Sequence, residues 1–113
     1  MRLISFALTT GQFLDGTKDV TRRLGWRKLK AGDRLMGVRK AMGLKAGEKP
    51  ERLGAIEVVS VRREPLDAID QADVHREGFP DLTPATFVAL FCGHMGCKPE
   101  VEVTRIEFRR IDP

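Results

Sequence analysis

Hydrophobic and polar positions fall in short runs separated by turn residues, the pattern of a small strand-rich domain. Arg2-Leu3-Ile4-Ser5-Phe6-Ala7-Leu8 is mostly apolar and predicts a first, central strand. Thr9 and Thr10 then offer capping hydroxyls to a short helix filled by Gln12, Phe13 and Leu14, and Gly16 suits its C-terminal stop. Lys18 to Arg23 follows as a short extended segment. Leu24-Gly25-Trp26 reads as a turn, and Ala31-Gly32-Asp33 as a tight turn before the alternating strand Arg34 to Arg39.

Residues 40–52 mix glycine, Pro50 and many charges and predict an exposed basic loop. Leu53 to Arg63, with Ile56, Val58, Val59 and Val61, is the clearest strand, and Pro65 breaks it. Residues 66–77 are polar and acidic and read as helical. Thr83-Pro84 is a strong helix start, because Thr can cap and Pro fits the first turn. Phe87, Val88, Leu90 and Phe91 give that helix a core-facing stripe, with Gly93 as its predicted end. Val101 to Phe108 alternates cleanly and predicts the last strand. Four or five strands with two or three short helices between them suggest a mixed barrel rather than a repeated βαβ sheet.

Length and composition set the bounds. The chain has 113 residues, 42% hydrophobic and 32% charged. That suits one globular domain spanning 1–113, too apolar for disorder and too charged for a membrane protein. No run approaches the roughly 20 apolar residues that span a bilayer. Met1 to Leu8 lacks the apolar core and cleavage site of a signal peptide. The expected setting is therefore cytoplasmic, away from membranes, with Cys92 and Cys97 reduced.

The net charge of +4 hides an asymmetry. Residues 1–63 hold 15 Lys/Arg against 6 Asp/Glu, and residues 64–113 hold 5 against 10. A basic half suggests a polyanion partner, whereas mixing of the charges in three dimensions would leave an ordinary solvated surface.

Gly16-Thr17-Lys18-Asp19-Val20-Thr21-Arg22-Arg23 carries the pattern Gly-x-Lys-x-x-Thr-x-Arg. It resembles the signature of the ASCH family, a branch of the PUA-like superfamily. Other pieces follow in the family's order. Ile4-Ser5-Phe6 precedes the signature, and Lys30-Ala31-Gly32-Asp33 is similar to the turn before the next barrel strand. Ile56 to Val61 resembles the strand after that, Glu77-Gly78-Phe79 the tripeptide before the late helix, and Val103 to Phe108 the closing strand. The resemblance implies a small PUA-like mixed β-barrel with a cleft and an RNA-related or nucleotide-related role. One branch of similar size hydrolyses N4-acetylcytidine to release acetate. Its reactive Lys, Thr and Glu correspond to Lys18, Thr21 and Glu77. The basic loop at 40–52 and the turn at 92–97 depart from that branch and bear on the substrate.

The chemistry is self-consistent. Amide hydrolysis needs a nucleophile, a base and a partner for the oxyanion. Thr21 would be the nucleophile, and Lys18 the base if burial or a neighbouring cation lowers its pKa. Arg22 and Arg23 can supply that cation, and Arg23 can also steady a phosphate or an oxyanion. Glu77 would orient Lys18 or shuttle the proton. The alternative is a solvated Lys18, a strand Thr21 and a surface Glu77. Neither a metal nor a cofactor is required. Ser5, Arg22, Arg23, Trp26 and Arg27 are the expected ligand-binding set. Trp26 lies among basic residues and suits either stacking on an exposed base or plugging one end of the barrel.

Cys92, His94 and Cys97 are zinc-ligand types, yet a structural site wants four, and His75 would have to join from a distance. A turn with one buried thiol is the simpler reading, and a redox pair is the third. Three functions stay open: recognition of RNA or a modified nucleoside, amide hydrolysis of an acylated cytidine, and a non-catalytic protein-interaction module using the loop at 40–52.

Overall fold

The computed structural model describes residues 1–111. Its elements in chain order are β1 (Arg2–Ser5), α1 (Thr10–Asp15), β2 (Val20–Arg23), β3 (Arg34–Val38), β4 (Arg52–Pro65), a 3-10 turn (Leu66–Ala68), α2 (Gln71–Arg76), α3 (Pro84–Met95) and β5 (Glu102–Ile111). The five strands form one sheet in the order β1-β3-β4-β5-β2. Only β1 and β3 run parallel. The sheet curls into a half-barrel, so the expected barrel-like fold of about five strands and three short helices is what the chain adopts.

Alternation along the strands feeds two cores. Ile106 and Phe108 of β5 join Ile4, Phe6, Phe13, Leu35, Ile56 and Val58 inside the curl. Val103 points the other way, into a cluster of Leu66, Ile69, Val74, Phe87 and Val88 beneath the helices. The Phe6 and Phe13 rings stack at 4.4 Å between centroids. Gly37 makes room for them: a Cβ there would sit 3.0 Å from Phe13 Cζ and 3.0 Å from the Gly54 carbonyl. Each fully buried core side chain of this kind stabilises the fold by about 1.5–3 kcal/mol.

The first strand, expected to be central, lies at an edge of the sheet, and four further details differ from expectation. The first strand stops at Ser5, because the chain turns inward at Phe6. The Thr9 side chain makes no cap, and the Thr10 hydroxyl donates instead to the Phe6 carbonyl at 2.8 Å. The helical stretch at 66–77 is divided, since the Asp70 carboxylate accepts the Asp73 N–H at 2.8 Å and restarts the chain as α2. Helix α3 runs past Gly93 to Met95. Gly96, at φ +67°, is the residue that takes the left-handed stop. The Thr83-Pro84 start is as expected, with Thr83 and Thr86 forming a reciprocal capping box. Among the described residues no helix is long and apolar enough to cross a membrane.

Candidate functional site

The edge strands β1 and β2 approach each other at one end of the half-barrel, and a cleft of about 230 Å³ opens there. Arg23 of β2 bridges the gap, its Nη2 donating to the Ser5 carbonyl of β1 at 2.7 Å. The signature supplies the floor. Gly16 ends α1 in the left-handed conformation at φ +84°, which lets the chain reverse into Lys18 and β2. Register then assigns the faces. Thr21 lies opposite Ile106 on the core side, whereas Arg22 lies opposite Arg105 on the helix side.

Lys18, Thr21, Arg22 and Glu77 are all buried, Lys18 only 4% exposed. Lys18 Nζ donates to Glu77 Oε1 at 2.8 Å and to the Glu77 carbonyl at 2.9 Å. Glu77 reaches it from the end of α2 because Gly78 adopts φ +99°. A Cβ at Gly78 would lie 2.8 Å from Gln12 Cβ. The other Glu77 oxygen accepts from Arg22 Nη1 at 3.2 Å. Arg22 Nη2 also holds Asp73 Oδ2 at 2.7 Å, and Arg105 clamps the same carboxylate through Nε at 2.6 Å and Nη2 at 3.0 Å. A buried chain Lys18–Glu77–Arg22–Asp73–Arg105 results. Asp73 is what allows two guanidiniums to sit directly opposite each other on paired strands.

Burial pulls the Lys18 amine below its ordinary value. Glu77 opposes that shift, and the Arg23 and Arg22 charges reinforce it. Arg23 is lowered to about 10 by burial, with Glu77 only partly compensating. It has no carboxylate within ion-pair distance among the described residues, and its Nε donates to Thr21 Oγ1 at 3.0 Å. The two Arg105 bonds, together with Arg22, hold the Asp73 carboxyl well below the carboxylate range. Arg22 Nε is the one buried side-chain polar atom among the described residues that lacks a hydrogen-bond partner.

The opposite wall is apolar. Phe79, Phe87, Leu90, Phe91 and Met95 line it, with Leu8 at the mouth. Leu90 is 47% and Met95 46% exposed, so the α3 stripe divides. Phe87 and Val88 are core as expected, Phe91 packs against that core while also lining the cleft, and Leu90 faces the cleft alone.

Of the expected residues, the fold brings Ser5, Lys18, Thr21, Arg22, Arg23 and Glu77 to one cleft. Trp26 and Arg27 are not in its lining. Trp26 is half-buried against the core inside the curl, and the Arg2 guanidinium covers its ring at 3.8 Å. Arg27 is exposed and lies 3.6 Å from Glu102. His94 lines the cleft, whereas Cys92 and Cys97 meet each other, and His75 is exposed. Among the described residues no group of three or more His, Cys, Asp or Glu side chains is arranged to hold a metal ion. Asp73, Arg105 and the cleft wall on α3 were not foreseen. Neither Asp73 nor Arg105 stands out locally, because only the pairing of β5 with β2 turns Arg105 toward Asp73 of α2.

No protein-family model matches this sequence, and no curated protein does. Solved structures do resemble it. A protein from Enterococcus faecalis V583, described by the family model DUF984, is similar with a TM-score of 0.70 at 13% identity, over 98% of this chain and 80% of that one. An ASCH domain from Lactobacillus crispatus JV V101 is similar with a TM-score of 0.65 at 15% identity, over 96% of this chain and 78% of that one.

Proposed function

Given this ASCH-like fold, we propose that the cleft receives one modified nucleoside, free or within RNA, and that Lys18, Thr21 and Glu77 hydrolyse the amide of an N4-acylated cytidine there. Lys18 carries the reading: a buried amine of lowered pKa on the cleft floor, oriented by Glu77 at 2.8 Å. Its volume of about 230 Å³ falls just below the roughly 300–1,000 Å³ of small-molecule sites and suits a single small ligand. Cations on one wall and aromatic rings on the other suit a molecule with polar oxygens and a flat ring.

In its neutral form Lys18 takes the Thr21 hydroxyl proton as Thr21 Oγ1 bonds to the acyl carbon. Negative charge develops on the former carbonyl oxygen and is met by Arg23, which also steadies Thr21 Oγ1. The C–N bond then breaks, and Lys18 returns its proton to the departing exocyclic nitrogen. Cytidine leaves an acyl ester on Thr21. Water cleaves that ester with Lys18 as base again, and the proton passes back to Thr21. Glu77 holds Lys18 in place throughout.

The test is incubation of the pure protein with N4-acetylcytidine, with cytidine and acetate followed by chromatography. Equal release of both, lost in Lys18→Ala with the circular dichroism spectrum retained, is the expected result. Full activity in Lys18→Ala would sink the hydrolysis reading. A second reading is binding without turnover. It is favoured by the two Glu77 bonds, which suit a charged Lys18. It predicts nucleoside or RNA affinity that weakens with salt and no product.

A further inference from the structure

The last turn of α3 carries chemistry that the cleft reading leaves unused. Cys92 and Cys97 are free, half-buried thiols, and their Sγ atoms lie 3.8 Å apart. The helix stop holds them there. The Cys92 carbonyl accepts the Gly96 N–H at 2.8 Å and the Cys97 N–H at 3.4 Å. In such stops the residues at these two positions commonly make an apolar contact. Here that contact is made by two oxidisable sulfurs. Closing the gap from 3.8 Å to a bond of about 2.05 Å takes a movement of roughly 1.8 Å.

The four residues between the cysteines include His94 and Met95, both in the cleft wall. Cys92 also lines a second depression, with Asp67, Pro84, Val88 and Pro99, which shares no residue with the cleft. A small oxidant can therefore reach the thiol without entering the cleft.

We propose that Cys92 and Cys97 form a reversible intramolecular disulfide whose closure repositions the His94–Met95 wall of the cleft. The oxidant is a small-molecule disulfide of the glutathione type. One cysteine thiolate attacks glutathione disulfide, whose S–S bond breaks to expel one glutathione thiolate and leave a mixed disulfide. The second cysteine, losing its proton, displaces the remaining glutathione. Two protein thiols become one disulfide, one glutathione disulfide becomes two glutathiones, and the two protons released end on the expelled thiolates. Burial, aided by contact with Cys97, pushes the Cys92 thiol up. Closure should therefore be slow at neutral pH and quicken as pH rises. The disulfide forms whatever the cleft binds.

The experiment equilibrates the whole chain in reduced and oxidised glutathione, quenches with an alkylating agent and reads the intact mass. In parallel, NMR follows the Met95 methyl and the His94 ring. Loss of two hydrogens from the monomer, reversed by dithiothreitol, with both signals shifting, is the expected result. Cys97→Ser should give only the glutathione adduct. A wild-type chain that forms only adducts or cross-linked dimers, or a disulfide that leaves both signals unmoved, overturns the proposal.

Discussion

Replacing Asp73 by Asn would leave Arg22 and Arg105 facing each other across paired strands without the carboxylate that separates them. Asp73 takes three charge-assisted bonds, at 2.7, 2.6 and 3.0 Å. Removing one partner of a buried ion network costs about 3–5 kcal/mol. Asn keeps one acceptor oxygen but turns a donor toward a guanidinium, which places the expected loss near the low end, about 3 kcal/mol. With a urea slope of about 1–3 kcal/mol per molar, the unfolding midpoint should fall by about 1–3 M.

The pH dependence has a definite sign. The folded carboxyl titrates below its unfolded value, so its contribution is complete above about pH 4 and drains away as pH falls further. The gap between wild type and Asp73→Asn should therefore narrow as pH falls below about 4. Urea melts followed by circular dichroism between pH 7 and pH 3 would check both statements. A midpoint shift under about 0.3 M at pH 7, or two curves that stay parallel into acid, would refute the reasoning.

Three further outcomes are expected. Gly78→Ala meets both a left-handed φ of +99° and Gln12 Cβ at 2.8 Å. It should destabilise by about 1–3 kcal/mol in urea melts and weaken cleft ligand binding by shifting Glu77. Thr83→Ala removes the capping box of α3 and should lower stability by about 0.5–2 kcal/mol in the same melts. If Lys18 is the base, hydrolysis should rise with pH and level off below about pH 10.4, since only the neutral amine accepts the proton and burial favours it. A pH–rate profile reads the limb, and Lys18→Arg should abolish it together with turnover.

Much of this architecture is legible in the sequence where one local rule decides. Strands β4 and β5 are marked by their runs of β-branched and aromatic residues, and Thr83-Pro84 can scarcely be anything but a helix start. The floor of the cleft is legible too, because Lys18 to Arg23 are neighbours in the chain. What escapes is whatever depends on register. Arg105 in an alternating strand looks solvent-facing. Only its pairing with Arg22 turns it inward, onto Asp73 of α2. Trp26 shows the converse. Its basic neighbours in sequence suggest a base-stacking ring, but at φ +54° it is half-buried against the core. Gly93 and Gly96 are equivalent by composition. The helix stop falls at Gly96, where the chain turns left-handed and its N–H meets the Cys92 carbonyl.

The Arg23 bond to Ser5 also bears on how this molecule avoids its own kind. A half-barrel has two unpaired strand edges, each a template on which another chain could polymerise. Here both edge strands are only four residues long. At one end they are tied to each other by a guanidinium rather than left to neighbours. The mouth of the cleft thus doubles as a guard against edge-to-edge growth, and loosening it for the sake of a larger ligand would be expected to cost solubility before it cost stability.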